Sequence, residues 1–295
     1  AINRTVDAIV AGHRHRALLV MATGTGKTYT AFQIIWRHRK AGVVKNVLYL
    51  ADRNQLVEQA MTGDFAPFRS MYKIRDRAID RNYEIYFGLY QQLKGGDQDP
   101  MMAYYRQVPA DYFDLIVVDE CHRGSADEKS SWRDILDYFS SAIQIGMTAT
   151  PSDREGASNP EYFGAPLFTY SLKQGIEDGF LAPYQVVSVH LDRDVTGWEP
   201  EEGDVDVEGN PVPRRLYTLN DFDRTLEIKG RTRKVAEVVT NYLHHLGRMS
   251  KTIIFCATQR HAANMRDAIR EHNRDMMVEN DRYAVRMTAD DAEGR

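Results

Sequence analysis

The chain has 295 residues, of which 43% are hydrophobic and 27% charged, and its formal net charge is −4. This composition excludes a disordered or fibrous protein, and no apolar run is long enough to cross a membrane. Only two cysteines, together with the lack of an apolar leader, predict a cytoplasmic protein without a disulfide framework.

Apolar runs alternate with stretches of helical period over the first half of the chain. In chain order they predict strand 17–21, helix 27–40, strand 46–51, helix 55–61, strand 115–119, helix 130–139 and strand 142–148. Near-continuous apolar strands separated by helices are typical of a parallel sheet with helices on both faces. The sequence therefore predicts an α/β domain over residues 1–165.

The rest of the chain is predicted to be a connecting segment, residues 166–229, and the start of a second α/β domain, residues 230–295. The connecting segment contains a predicted strand at 184–189 and a surface excursion at Asp192–Glu208, where eight acidic residues stand against one arginine. The second domain is predicted to run as helix 231–245, strand 251–256, helix 260–271 and strand 283–287. Two strands and two helices are too few for a complete doubly wound domain.

A glycine-containing turn, Met-Ala-Thr-Gly-Thr-Gly-Lys-Thr at 21–28, follows the first predicted strand and leads into the first predicted helix. Its glycines allow backbone N–H groups to surround an anion at the helix N-terminus, as in a P-loop. Lys27 is assigned to the β- and γ-phosphates and to catalysis, and the Thr28 hydroxyl to Mg²⁺. The strict pattern has glycine at the position of Met21. The predicted nucleotide-binding residues are Thr23, Gly24, Thr25, Gly26, Lys27 and Thr28.

Two carboxylates, Asp119 and Glu120, follow the apolar run 115–118 at the end of a predicted strand. Open α/β sheets bind their ligands at the carboxyl ends of their strands. Asp119 is predicted to hold Mg²⁺, and Glu120 to orient and deprotonate the attacking water as a general base. An Asp-Glu pair alone is common, but one that ends an apolar strand downstream of a P-loop predicts nucleotide hydrolysis.

A third polar group, Thr148 and Thr150, lies at the end of the strand predicted at 142–148. Small hydroxyl groups at a strand end can bridge neighbouring loops. We expect them to reach towards His122, and we assign these three residues to coupling between the nucleotide site and the rest of the protein.

In this order, the motifs resemble those of the superfamily 2 helicases and translocases. The matching segments are 21–28 (motif I), 50–53 (motif Ia), 89–93 (a later strand-contacting motif), 119–122 (a DECH variant of motif II), 148–150 (motif III) and 251–258 (motif IV). The resemblance implies a RecA-type first domain, the start of a second RecA-type domain, and ATP and Mg²⁺ as cofactors. It also implies DNA contacts at Arg53, Tyr90, Gln91 and Thr258.

Within that superfamily, longer stretches look like the R subunits of type I restriction enzymes. These stretches are 17–24, 118–124, 162–166, 170–184 and 221–226, and 170–184 is the most family-like. The resemblance implies an ATP-driven motor on double-stranded DNA, in a complex with modification (methyltransferase) and specificity subunits. It also implies that the adenine-contacting motif precedes Ala1, that motifs V and VI with their arginine fingers follow Arg295, and that the nuclease domain lies elsewhere.

Two alternative functions remain open from the sequence. One is a DEAD/DEAH-like helicase outside restriction, acting in repair or on RNA, and the other is a nucleotide-gated binding module without turnover. The triplets at 127–129 and 227–229 match the acid-x-lysine pattern of nuclease sites, but a chain of this composition contains such triplets by chance. The acidic stretch 204–209 resembles the start of a calcium-binding loop, but the glutamate that would complete the loop is missing. Neither feature is assigned a function.

Overall fold

The first part of the chain folds around a sheet of seven parallel strands in a computed structural model. The structure describes residues 1–12, 15–75, 78–94, 103–122, 131–151, 159–189, 191, 196–201, 203–205, 209–218, 229–288 and 291. Two compact units follow one another along the chain, Ala1–Tyr184 and Gln185–Arg295. The predicted sheet therefore belongs to the first unit.

The strands of the first unit are β1 (Arg16–Met21), β2 (Val47–Ala51), β3 (Met71–Lys73), β4 (Ile85–Leu89), β5 (Leu115–Val118), β6 (Ile143–Thr148) and β7 (Phe168–Tyr170). Their order across the sheet is β3-β4-β2-β5-β6-β1-β7. Each neighbouring pair is parallel. Parallel strands need crossover connections, and within the described residues a helix lies in each of them except the one from β3 to β4.

The helices of the first unit are α1 (Ile2–Val10), α2 (Lys27–Lys40), α3 (Asn54–Thr62), α4 (Tyr90–Lys94), α5 (Ser131–Tyr138), α6 (Asn159–Phe163) and α7 (Leu172–Glu177), with a 3₁₀ turn at Tyr104–Gln107. Successive side chains of β1 enter two separate apolar clusters: Leu18 packs with α5, whereas Leu19 packs with α2 and α3. The sheet is thus covered by helices on both faces, which confirms the predicted α/β fold class.

The sheet is larger than the sequence patterns indicated. The four predicted strands form, and α2 has the predicted bounds, but β3, β4 and β7 were not predicted. β7 pairs with β1, with Leu19 opposite Phe168, so the first compact unit continues beyond the predicted boundary at residue 165. A short edge strand such as β7 depends on its neighbour for hydrogen bonds, and its own sequence carries little signal.

The second unit contains α8 (Lys229–Leu246), α9 (Gln259–His272) and α10 (Arg274–Glu279). The first two helices pack together around Ala236, Met265 and Ile269. The strands predicted at 184–189, 251–256 and 283–287 do not form, because none of these segments pairs with another in the described part of the chain. Apolar residues alone do not make a strand without a hydrogen-bonded neighbour. Within the described residues, none of the helices is both long and apolar enough to span a bilayer.

Gly146 in β6 lies against the ring of Phe163, and a Cβ added there would be 2.6 Å from Phe163 Cε2. Because both residues are buried, Gly146→Ala should lower the free energy of unfolding by about 1–3 kcal/mol. Gly88→Ala in β4 is the matched control, since its Cβ would lie 3.4 Å from Ile74 and 3.5 Å from Leu93. Urea unfolding measures both variants, and an equal loss in the two would contradict this steric explanation.

Candidate functional site

The residues assigned to nucleotide and metal binding lie at one edge of the sheet. The glycine-containing turn follows β1, Asp119 follows β5, and Thr148 ends β6. These three strands are immediate neighbours in the order β5-β6-β1, and all are parallel. Segments that are distant in sequence therefore converge at the carboxyl edge, where open α/β sheets bind ligands.

The turn between β1 and α2 is closed by its own backbone and by one hydroxyl group. Gly24 and Gly26 have φ angles of 83° and 82°, in the left-handed region that glycine occupies without steric cost. Gly26 caps α2 and accepts a hydrogen bond from the Thr30 N–H at 2.9 Å. The Thr25 hydroxyl donates to the Ala22 carbonyl at 2.6 Å. The first N–H groups of α2 remain available for an anion at the helix N-terminus.

Lys27 and Glu120 form an ion pair across this edge. Lys27 Nζ is 3.6 Å from Glu120 Oε1 and donates to the Met21 carbonyl at 3.4 Å. The other oxygen of Glu120, Oε2, is 3.3 Å from His122 Nδ1. The Lys27 and Glu120 side chains are only 9% and 17% exposed, so solvent ions screen this pair less than a surface pair. The carboxylate is thus held between an ammonium group and an imidazole.

The backbone of Glu120 is strained. Its φ is 50°, and among the described residues it is the only non-glycine residue with a positive φ. This conformation costs a non-glycine residue roughly 1–2 kcal/mol. Two flanking hydrogen bonds hold it: Glu120 N donates to Asp119 Oδ1 at 2.9 Å, and Cys121 N donates to the Met147 carbonyl at 3.1 Å. Strain of this kind concentrates at functional sites, and here it turns the chain sharply after β5.

Asp119 is buried, with 4% of its surface exposed. The Tyr49 hydroxyl donates to Oδ2 at 2.7 Å, and the N–H of Glu120 donates to Oδ1. Burial raises the pKa of Asp119, whereas the hydrogen bonds oppose that rise by favouring the ionised form. Burial, followed by the neighbouring Asp119, raises the pKa of Tyr49 well above its ordinary value. The Tyr49 hydroxyl is therefore the donor in the hydrogen bond to Asp119.

The three residues assigned to coupling form a short chain of contacts. The Thr148 hydroxyl is 2.8 Å from His122 Nδ1, which is the contact expected from the sequence. The Thr150 N–H donates to the Thr148 hydroxyl at 3.1 Å. His122 Nδ1 also lies 3.3 Å from Glu120 Oε2, so consecutive contacts join Glu120, His122, Thr148 and Thr150.

The four residues assigned to DNA contact differ in their exposure to solvent and in the unit to which they belong. Arg53 follows β2 and Gln91 lies in the first turn of α4, both at the carboxyl edge. Arg53 forms an ion pair with the Asp52 carboxylate, and the Gln91 side chain donates a hydrogen bond to the Asp52 carbonyl. Arg53 has 62% of its side chain exposed. Tyr90 is only 2% exposed and its ring packs in the core, so its predicted DNA contact stays a prediction that its side chain does not support. Thr258, in the second unit, caps α9 by accepting the His261 N–H at 3.0 Å.

A leucine after α7 contacts the P-loop, which no motif indicated. A Cβ at Gly24 would be 3.2 Å from Leu181 Cδ2, and one at Gly175 would be 2.7 Å from Leu181 Cδ1. Glycine at both positions leaves room for Leu181 to pack on the loop. The segment lies within the family-like stretch 170–184, but the contact itself arises only on folding.

Several features named from the sequence lie outside the described residues. They are residues 123–124, the triplet 127–129, residues 206–208 of the acidic stretch 204–209, residues 221–226, and residues 227–228 of the triplet 227–229.

Three comparisons relate the chain to known proteins. A family model described as "Type III restriction enzyme, res subunit" matches residues 1–153. The whole chain is 52% identical to the endonuclease subunit of the type I restriction enzyme EcoAI from Escherichia coli, of which it spans 36%. Over 89% of its length it is 31% identical to the Escherichia coli EcoKI endonuclease subunit, of which it spans 24%.

Among solved structures, a fragment from Vibrio vulnificus described as an HsdR subunit of a type I restriction enzyme is similar to 96% of the chain. The TM-score is 0.68, the sequence identity is 36%, and the chain covers 46% of that fragment. The chain therefore spans less than half the length of each of these relatives.

Proposed function

Because the chain belongs to the family of restriction-enzyme res subunits, we propose that it is the ATP-hydrolysing motor part of a type I restriction endonuclease subunit. In this proposal, ATP hydrolysis drives movement on double-stranded DNA. The observation that carries it is the approach of Lys27 Nζ to Glu120 Oε1, at 3.6 Å, beside the buried Asp119. The lysine assigned to phosphate, the carboxylate assigned to the metal and the candidate base thus lie together at one edge of the sheet.

The P-loop and the end of β5 supply complementary groups for a nucleotide. The N–H groups at the start of α2 and the Lys27 ammonium would bind the phosphates. The donors at Thr28 and Asp119 fit Mg²⁺, which prefers oxygen ligands and needs few from the protein because it keeps waters and phosphate oxygens. A buried carboxylate such as Asp119 also gains from a nearby cation. When bound, the ion would neutralise charge that develops on the phosphates.

Glu120 is the residue best placed to activate water. Its carboxylate would accept a proton from the attacking water while the oxygen bonds to the γ-phosphorus. The bond to the bridging oxygen then breaks, and ADP and phosphate leave. The backbone strain at Glu120 favours turnover over a nucleotide gate, because a gate has no need for a carboxylate held at an energetic cost.

The EcoAI and EcoKI relatives are both type I restriction endonuclease subunits, and this favours a role in restriction over that of a helicase in repair or on RNA. Double-stranded DNA and the modification and specificity subunits of such an enzyme are the proposed partners. Arg53 and Gln91 at the carboxyl edge would contact DNA phosphates, which carry no sequence information. Recognition of sequence is therefore assigned to other subunits.

Steady-state phosphate release by the full-length protein, assembled with its partner subunits, tests the proposed function. We expect linear duplex DNA that carries the recognition sequence to stimulate ATP hydrolysis strongly, because movement on DNA consumes ATP. Single-stranded RNA should stimulate it little, and Lys27→Ala is the control for turnover at this site. Greater stimulation by RNA would favour the helicase alternative, and nucleotide binding without turnover would favour the gate.

A further inference from the structure

Tyr49 lies outside every motif, yet it contacts Asp119, one of the two residues assigned to the metal ion. It is in β2, with 1% of its surface exposed. Its hydroxyl donates a hydrogen bond to Asp119 Oδ2 at 2.7 Å. One buried phenol thus links β2 to the residue that follows β5.

The direction of this hydrogen bond follows from the chemistry of the groups. An ionised carboxylate only accepts hydrogen bonds, so the Tyr49 hydroxyl donates to Asp119. Asp119 accepts one hydrogen bond on each oxygen, from Tyr49 and from the Glu120 N–H. The remaining lone pairs of the carboxylate can bind a cation.

The ring of Tyr49 is fixed by aromatic neighbours. Its centroid is 5.4 Å from that of Phe65 and 5.4 Å from that of Phe87, in tilted or edge-to-face arrangements. Such packing leaves the hydroxyl little freedom to move. Asp119 is also restrained through its other oxygen, which accepts the Glu120 N–H at 2.9 Å.

We propose that Tyr49 is a positioning residue for the divalent cation, holding the Asp119 carboxylate in the orientation that binds Mg²⁺. This inference rests on the proposed function, because it assumes that the site binds a metal–nucleotide complex. Tyr49 acts through Asp119, so its loss affects the cation and leaves phosphate binding by the P-loop intact.

The affinity of the full-length protein for a fluorescent ADP analogue, measured in EDTA and across a Mg²⁺ titration, tests the proposal. Tyr49→Phe keeps the ring and removes the hydroxyl. We expect it to raise the Mg²⁺ concentration at half-maximal binding about tenfold, the effect of one hydrogen bond to a charged group. Affinity in EDTA should not change.

The matched control is Tyr86→Phe, which removes another buried phenol from the same sheet. The Tyr86 hydroxyl bonds to Tyr112 and to the Tyr83 carbonyl, away from the site. This variant should leave both the Mg²⁺ midpoint and the affinity in EDTA unchanged. In an Asp119→Ala background, Tyr49→Phe should have little further effect, because the carboxylate through which it acts is gone.

The possible results separate the inference from the proposed function. An unchanged Mg²⁺ midpoint in Tyr49→Phe, with normal Mg²⁺-dependent binding by the unmodified protein, overturns the inference alone. An equal loss of affinity in EDTA and in Mg²⁺ also overturns it, since that pattern indicates a general packing role. No Mg²⁺-dependent nucleotide binding by the unmodified protein would instead refute the proposed function, and the inference with it.

Discussion

Glu120→Gln should lower ATP turnover by the full-length protein about 10²–10⁴-fold, the range for the loss of a general base. Nucleotide affinity should stay equal or rise. Glutamine has nearly the same shape but cannot accept the proton of the attacking water. It also removes the negative charge that pairs with Lys27, and this leaves the ammonium free for phosphate.

Phosphate release under single-turnover conditions, together with equilibrium binding of a nucleotide analogue, separates the two effects of Glu120→Gln. Glu161→Gln is the matched control, because Glu161 is exposed in α6 and should tolerate the change. Turnover by Glu120→Gln at the rate of the unmodified protein would show that another group activates the water.

Lys27→Ala should weaken nucleotide binding about 10- to 100-fold, since it removes a charge-assisted contact to the phosphates. Turnover should fall with it. The substitution also leaves Glu120 without its cation partner in a mostly buried site, so a part of the defect comes from the carboxylate that remains.

Calorimetric titration with Mg²⁺ and a non-hydrolysable ATP analogue measures the loss in Lys27→Ala. Lys40→Ala is the matched control, because Lys40 is an exposed lysine at the other end of the same helix, with its ammonium over Trp36. Similar affinities of Lys27→Ala and of the control for the ATP analogue would contradict the assignment of residues 21–28 to phosphate binding.

The motifs of the site could be predicted from the sequence because each consists of residues that lie close together along the chain. Helix α2 has the predicted bounds, and the strands that lead to the P-loop and to Asp119 form as predicted. A buried parallel strand needs a run of apolar residues, and a helix needs apolar residues at intervals of three and four. The predicted contact between Thr148 and His122 also forms, since Thr148 ends β6 and His122 lies after β5, and these two strands are adjacent and parallel.

Other features depend on strand pairing or packing with residues that are distant along the chain, which local patterns do not reveal. Strands β3, β4 and β7 exist through their pairing with neighbours, whereas the apolar run 251–256 remains unpaired in the described part of the chain, with Phe255 92% exposed. Tyr90 looked suitable for DNA contact by its place in a motif, but its ring is buried. Apolar character is compatible with a strand, a helix face or a packed side chain, and only the packing decides among them.

The sequence by itself determined the elements of the proposed site: a glycine-containing turn, two carboxylates at a strand end, and a parallel sheet that brings them to one edge. Those features follow from short-range patterns, because each is defined by residues that are neighbours along the chain. The tertiary structure alone decided the left-handed backbone of Glu120 and the link from Tyr49 to Asp119. These depend on atoms that are distant in sequence, and only the arrangement of the strands across the sheet brings them within hydrogen-bonding distance.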